Sequence, residues 1–358
     1  MIAIPLGAQE SYMNLPNPKP MEIFITGGTG GIGRCLLPGL LDDPGVSNVM
    51  LLSRKRPHFD HPKLKVFQGD ITLPGLGLSG DLIRQVQRAQ EVYHLAADCS
   101  LSSMPAHRAA IFMTNADGTR NILEILKPSQ TLTRFVHMSS AYACGRTPDI
   151  ISEDWMPRPT SFRNTYEETK WLAEDLIRIS HSESGIPFTI LRPSIVWDKS
   201  IRDKTILCYS SILERAARMD PHRRIRLMGS DKAALNLIRL DDLISIIHRI
   251  RQGPSRNMIL NLVDPASIPS STILSLISES LDRHFEFQEN LDDRSLSAAE
   301  AFAFRHTQPF WPYLCEDPPR WDYARIARIK GCIRSINLTE MKETIRSLLR
   351  NHEPLIQT

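Results

Sequence analysis

The sequence predicts an α/β fold, a doubly wound parallel sheet followed by a smaller, mostly helical C-terminal lobe. Three observations predict it. Short apolar runs alternate with longer amphipathic segments from Glu22 to about Arg192. A glycine-rich turn follows the first apolar run directly and opens the first amphipathic segment. After Pro193 the alternation loosens into stretches of mainly helical period. Strands that alternate with helices need crossover connections, and right-handed crossovers cover both faces of a parallel sheet. Such a Rossmann-type sheet takes its ligand at the carboxyl ends of its strands.

The elements follow in order. Glu22 to Thr26 reads as a buried strand, and Gly31 to Leu41 as a helix stopped by Asp42-Asp43-Pro44-Gly45. Val49 to Ser53 and Lys65 to Gln68 are the next strands, and a helix begins near Asp81. Glu91 to Leu95 is a fourth strand, Ala109 to Leu126 a helix, and Arg134 to Met138 a fifth strand. A long helix spans Asn164 to Ser184, and Phe188 to Arg192 is the sixth strand. Beyond it, helices are expected at Thr205 to Arg218, Leu240 to Ile250, Ser270 to Leu281 and Leu338 to Arg350. Asn257 to Val263 has the composition of a strand able to return to the sheet, and Phe285 to Phe287 alternates like a short one. The expected division is an N-terminal extension (1–20), a nucleotide-binding domain (21–193) and a substrate-binding lobe (194–358).

Composition narrows the function classes. The 358 residues are 42% hydrophobic and 23% charged, with a net charge of +3. That is the profile of an ordinary globular chain, and it argues against nucleic acid as a partner. No apolar run reaches the roughly 20 residues that span a bilayer. The opening Met1-Ile2-Ala3-Ile4-Pro5 lacks the basic start of a signal peptide. The six cysteines are scattered without a CxxC pair. They fit reduced thiols, and so a cytoplasmic protein, better than a disulfide framework. No metal-ligand cluster stands out, and none is expected.

The turn is Thr26-Gly27-Gly28-Thr29-Gly30-Gly31-Ile32-Gly33. Gly27 suits a tight turn, Gly30 lets backbone approach a pyrophosphate, and Gly33 lets helix and strand pack closely. The helix then offers free N–H groups and its positive dipole end to phosphate. The second strand exits into Ser53-Arg54-Lys55-Arg56. An NAD site usually carries an acidic residue there for the ribose 2′-hydroxyl; cations suit a 2′-phosphate instead. Arg54 is the best candidate, because a guanidinium binds phosphate in bidentate fashion. NADPH is therefore the expected cofactor. Asp70, at the end of the third strand, is placed to accept from an adenine amino group.

Tyr166 and Lys170 stand four apart on a predicted helix and share a face. Ser140 lies just past the fifth strand. In a doubly wound sheet these groups can meet beside a nicotinamide. A phenol titrates near 10, and a nearby ammonium lowers that value. A serine can hold the substrate oxygen while the phenol delivers its proton.

These residues resemble the extended short-chain dehydrogenase/reductase superfamily, closely over Met21 to Pro193 and loosely beyond. TGxxGxxG stands at Thr26 to Gly33, YxxxK at Tyr166 to Lys170, and an NxxGTxN-like helix start at Asn115 to Asn121. The strand-end His94-Leu95-Ala96-Ala97-Asp98 looks like the segment bordering the nicotinamide ribose, and Arg192-Pro193-Ser194 like the exit from the sixth strand. The resemblance implies Tyr166 as catalytic acid, Lys170 also on the ribose, and Ser140 orienting the carbonyl, with Ser139 the competing serine. The expected cofactor-binding set is Gly27, Thr29, Gly30, Gly31, Ile32, Gly33, Arg54, Asp70, Ile71, Ala96, Tyr166, Lys170 and Pro193. Within the superfamily, Asn164 to Glu174, Arg192 to Val196 and Phe135 to Tyr142 look most like the thioester reductase and fatty acyl-CoA reductase branch. That implies an NADPH-dependent oxidoreductase acting on a small-molecule carbonyl or an acyl thioester, on CoA or a carrier protein. Two other readings stay open: a redox-neutral epimerase, dehydratase or cyclase, and a non-catalytic NADPH-binding regulator. Position 169 is Thr where Ser is common, and Trp197-Asp198 replaces the usual Tyr-Gly or Gly-Asp.

Two clusters of the C-terminal half complete the expectations. His222-Arg223-Arg224-Ile225-Arg226 reads as a solvated basic loop or a contact for a CoA phosphate or an acidic carrier. Phe310-Trp311-Pro312-Tyr313 and Trp321-Asp322-Tyr323 would pack the lobe or line a pocket. His94 and His137 are expected in the core.

Overall fold

A computed structural model describes residues 20–102, 104–147, 149–198, 206–253, 257–329 and 333–350. The expected N-terminal extension lies outside the described residues, apart from Pro20. Seven strands form the central sheet: β1 (Met21–Thr26), β2 (Val46–Ser53), β3 (Leu64–Gln68), β4 (Glu91–His94), β5 (Arg134–Met138), β6 (Phe188–Pro193) and β7 (Met258–Leu262). Their order is β7-β6-β5-β4-β1-β2-β3, and every pairing is parallel. The order reverses between β1 and β4, which opens the crevice where such sheets bind ligands.

The inner strands are buried on both faces because both are covered; edge strand β3 buries only Phe67. Ile23 and Ile25 of β1 face α1 (Gly31–Asp42) and α7 (Leu240–Gln252), packing with Leu36, Leu40, Leu243 and Ile247. Phe24, between them, turns to the opposite face. There it meets residues of α2 (Gly80–Gln87), α4 (Gly118–Leu126) and α5 (Thr165–Ser184), among them Val86, Ile122 and Ile177. Burying such side chains stabilises the fold by roughly 1.5–3 kcal/mol each. The strand read at Asn257 to Val263 does return: β7 pairs with β6 and closes the edge of the sheet.

The predicted helix over Ala109 to Leu126 is three pieces: α3 (Pro105–Phe112), a π-helical turn (Met113–Asp117) and α4. Asn115 in that turn bonds the Asp98 backbone and Thr169, contacts which a periodicity reading cannot see.

The C-terminal lobe has its own core. It comprises α6 (Ile206–Met219), α8 (Ser270–Leu281), α9 (Ala298–Thr307) and α10 (Leu338–Arg350) around Leu213, Ile277, Ala303 and Ile345. Helix α9 escapes the periodicity reading. Its sequence signal is the capping box, in which Ser297 and Glu300 bond each other's backbone N–H groups. Short parallel pairs join Ile195–Trp197 to Leu237–Arg239 and Ile225–Met228 to Phe285–Gln288; the strand read at Phe285 to Phe287 is present, and the other three were not predicted. Among the described residues no helix is long and apolar enough to cross a membrane.

Candidate active site

The glycine turn leaves β1 with Gly27 at φ +72, a conformation side chains rarely adopt. A Cβ there would stand 2.5 Å from the Ala96 nitrogen, so the turn presses directly on the exit of β4. A Cβ on Gly33 would stand 2.2 Å from the Gly27 carbonyl oxygen. Gly30 is the N-cap of α1 and supplies no capping side chain, and the first turn carries no acidic residue. Its N–H groups and dipole therefore face outward beside the switch point, a cradle suited to phosphate. Thr29 and Gly30 are exposed, and Gly31 is half-buried. Ile32 leans on the core beneath.

Arg54 and Lys55 are exposed past β2, while Arg56 pairs with Asp60 at 3.2 Å. Asp70 forms an Asx turn, its Oδ1 accepting from the Thr72 N–H and hydroxyl at 2.9 Å each. Ile71 faces inward against Gly118, and its carbonyl accepts from Asn121 at 2.8 Å. Its side chain is core, and only its backbone lies near the strand ends. Pro193 is buried, opposite Leu262 of β7.

Ser140, Tyr166 and Lys170 come together at the ends of β5 and α5. Asn164 caps α5, its Oδ1 accepting from the Glu167 N–H, which sets Tyr166 in the first turn. The phenol hydrogen-bonds to the side chains of Ser140 and Cys99. Ser140 also caps the short helix after β5, accepting from the Tyr142 N–H at 3.2 Å. The Lys170 ammonium donates to the Met138 carbonyl at 2.8 Å and sits 5.8 Å from the centre of the Tyr166 ring.

The phenol differs from expectation. Burial pushes Tyr166 well above the usual phenol range, the Cys99 thiol adds to this, and the Ser140 hydrogen bond pulls the other way. Burial brings Lys170 down to about 8, against the pull of Cys99 and Glu174. At neutral pH the site thus holds a protonated phenol beside a cation.

Ser139 is occupied elsewhere. Its hydroxyl donates to buried Glu174, which also receives a bidentate fork from fully buried Arg192. Arg192 in turn donates to the carbonyls of Ser152 and Asp154.

The C-terminal aromatics reach the N-terminal half. Tyr313 donates to buried Glu167 at 2.8 Å and accepts from Asn164 at 2.7 Å. Tyr142 meets the edges of Tyr313 and Trp321, and the Trp321 indole donates to the Ala141 carbonyl. The basic cluster is paired: Arg224 with Glu286, and Arg226 with Glu300 at 2.6 Å. Among the described residues no group of three or more His, Cys, Asp or Glu is arranged for a metal.

Three further residues belong to this neighbourhood. Cys99 touches the phenol. Asn115 clamps the backbone of Asp98 and donates to Thr169 at 3.0 Å. His94 links Thr26 to Thr119. Their sequence signal is their place in the segments after β4 and at the α4 start, which speaks for location but not contact.

Known proteins share this plan. The family model described as Male sterility protein matches residues 55–241, just over half the chain. The hybrid PKS-NRPS synthetase gkaA of Penicillium citrinum is 28% identical over 232 residues, 60% of this chain and 6% of that protein. CG8303 of Drosophila melanogaster, named after fatty acyl-CoA reductases, is 27% identical over 49% of this chain and 41% of its own. The chain thus spans only a small part of the synthetase and under half of the fly protein. Among solved structures, the terminal R domain of the myxalamid PKS-NRPS pathway aligns over 93% of this chain and 92% of its own. Its TM-score is 0.74 at 20% identity. UDP-glucuronic acid 4-epimerase of Bacillus cereus, solved with UDP-glucuronic acid and NAD, aligns over 92% and 99% with a TM-score of 0.67 at 19% identity. The match, the sheet order and the glycine turn agree: the chain belongs to the Male sterility protein family of the extended short-chain dehydrogenase/reductase superfamily, and is most like its thioester reductase and fatty acyl-CoA reductase branch.

Proposed function

We propose that the protein is an NADPH-dependent reductase of a carbonyl or acyl thioester, with Tyr166 as the acid. One observation carries the reading: a phenol kept protonated by burial meets a serine hydroxyl and an ammonium at the strand ends beside an uncapped glycine-turn helix. The superfamily membership and the reductase-named relatives support it.

The residues fit a dinucleotide. The cradle from Gly27 to Gly33 would take the pyrophosphate on backbone N–H groups, and a Cβ at either end would collide with the backbone that shapes it. Exposed Arg54 supports a 2′-phosphate, and so NADPH over NADH. Bound there, the nicotinamide supplies the hydride that the carbonyl carbon accepts. Ser140 would hold the carbonyl oxygen, and Tyr166 would protonate it as negative charge builds. Lys170 would stabilise the phenolate so formed, and its charge persists at neutral pH. A thioester on CoA or a carrier protein is the favoured substrate, by likeness to the PKS-NRPS relatives. The scattered thiols support a reducing, cytoplasmic setting.

The test is NADPH consumption with acyl-CoA, acyl-pantetheine, aldehyde and ketone panels. Turnover that Tyr166→Phe abolishes supports the reading. Bound NADPH without consumption by any substrate class overturns it, and product formed without net consumption would point to redox-neutral chemistry.

A further inference from the structure

A line of buried hydrogen bonds runs from the glycine turn to the backbone of Tyr166, and its hydrogens can be assigned. Thr119 donates to the Asn115 carbonyl at 2.6 Å, and a carbonyl only accepts. The single hydroxyl hydrogen of Thr119 is thereby used. Toward His94 Nε2, at 3.0 Å, Thr119 can only accept, so Nε2 carries a proton. Burial, reinforced by the Lys170 charge, lowers His94 to about 3, so the ring is neutral and Nδ1 is bare. Nδ1 then accepts from the Thr26 hydroxyl at 2.8 Å. The Thr26 oxygen accepts from the Ala96 N–H at 3.4 Å, the contact that seats the glycine turn on the β4 exit.

On the other side, Asn115 uses its whole amide. Oδ1 accepts from the Asp98 N–H at 2.7 Å. Nδ2 donates to the Asp98 carbonyl at 2.9 Å and to Thr169 at 3.0 Å. Thr169 donates to the Tyr166 carbonyl at 3.0 Å. His94 is the only ring in this line, and it links the end of β1 to the first turn of α4.

His137 is the contrast. It is the Cα partner of His94 on β5, equally buried, with ring centres 5.3 Å apart. Among the described residues neither of its ring nitrogens has a partner.

We propose that His94, protonated on Nε2, is a positioning residue that holds the glycine turn and the Tyr166 helix in one fixed geometry. The inference rests on the reading of Tyr166 as the acid. Loss of the ring leaves the Thr26 hydroxyl hydrogen without its acceptor and the Thr119 oxygen without its donor in a buried site, and frees the turn from the helix. Displacement of an acid by about 1 Å can lower the rate about a hundredfold.

The test uses the full chain with His94→Leu, His94→Gln and His137→Leu. Nitrogen-resolved NMR of the histidine rings should show a buried Nε2–H tautomer that disappears in His94→Leu. His94→Leu should lower kcat roughly ten- to hundredfold and weaken NADPH binding several-fold. His94→Gln, whose amide can still donate to Thr119, should recover much of both, and His137→Leu should leave both unchanged. An Nδ1–H tautomer in the wild-type protein overturns the proposal, as do equal losses in the two leucine variants. So does a glutamine variant no better than leucine. If His94→Leu does not fold, the wild-type tautomer and the glutamine variant still decide. If no substrate is ever reduced, the reductase reading fails, while the tautomer and the NADPH affinity series still test His94.

Discussion

The Ser139 hydroxyl donates to the Glu174 carboxylate, whereas Ser140, one residue on, bonds the Tyr166 phenol. Adjacent serines at a strand end point to opposite sides. Ser139→Ala should therefore destabilise the fold by about 1–3 kcal/mol, because it removes a partner of a buried carboxylate. Ser140→Ala should cost only the cap it gives the Tyr142 N–H, about 0.5–2 kcal/mol, and lower kcat at least tenfold. Parallel melting curves and turnover rates of the two variants check this.

Glu174 and Arg192 form a buried pair that holds α5 to β6 and to the loop at Ser152. Arg192→Met should destabilise by about 3–5 kcal/mol, since the carboxylate would be left buried and unpaired. Adding Glu174→Met should recover part of that loss in urea unfolding. A double variant no more stable than the single one would contradict this.

Lys170, at about 8, sets an alkaline limit. The ammonium loses its proton as pH rises through that value, so kcat/KM should fall on the alkaline side of about 8. Tyr166, held well above the phenol range, should add no inflection below it. A pH–rate profile flat to pH 10 would remove Lys170 from the mechanism.

His94 and His137 make the fold acid-sensitive. Burial lowers His94 to about 3 and His137 well below its usual value. The unfolded chain binds these protons near pH 6.5 and the folded chain does not, so stability falls as pH drops below 6.5. Each ring contributes a slope of up to about 1.4 kcal/mol per pH unit. His137→Leu should reduce the slope by one proton, and it removes two unpartnered buried nitrogens, so it should also raise the unfolding midpoint. An unchanged acid slope in that variant would sink the assignment.

Exposed Arg54 is the handle on cofactor choice. Arg54→Ala should weaken NADPH binding by about tenfold and leave NADH within about twofold, as measured by fluorescence titration. Equal losses for both nucleotides would mean that the side chain does not meet the 2′-phosphate.

The sheet was legible because its strands are short, mainly apolar runs separated by amphipathic segments and turn residues, and because Gly27 and Gly33 mark the turn by what they lack. The Tyr166/Lys170 spacing was legible because an α-helix imposes it. The π-helical turn at Asn115 was not, since it interrupts a stretch of ordinary helical period and its contacts, with Asp98 and Thr169, are distant in sequence. The state of Tyr166 was also hidden. Spacing shows that a cation is near, but the burial that outweighs it belongs to the folded whole. Tyr313 reads as a lobe aromatic, and only the fold reveals that its hydroxyl lies on Glu167, beside the phenol.

Transfer of deuterium tests the central claim most directly. Incubation with NADPH deuterated at nicotinamide C4 and an acyl thioester should place the label on the former carbonyl carbon of the product, and Tyr166→Phe should abolish it while still binding NADPH. Product that carries no label, or labelled product at an undiminished rate from Tyr166→Phe, would contradict the account.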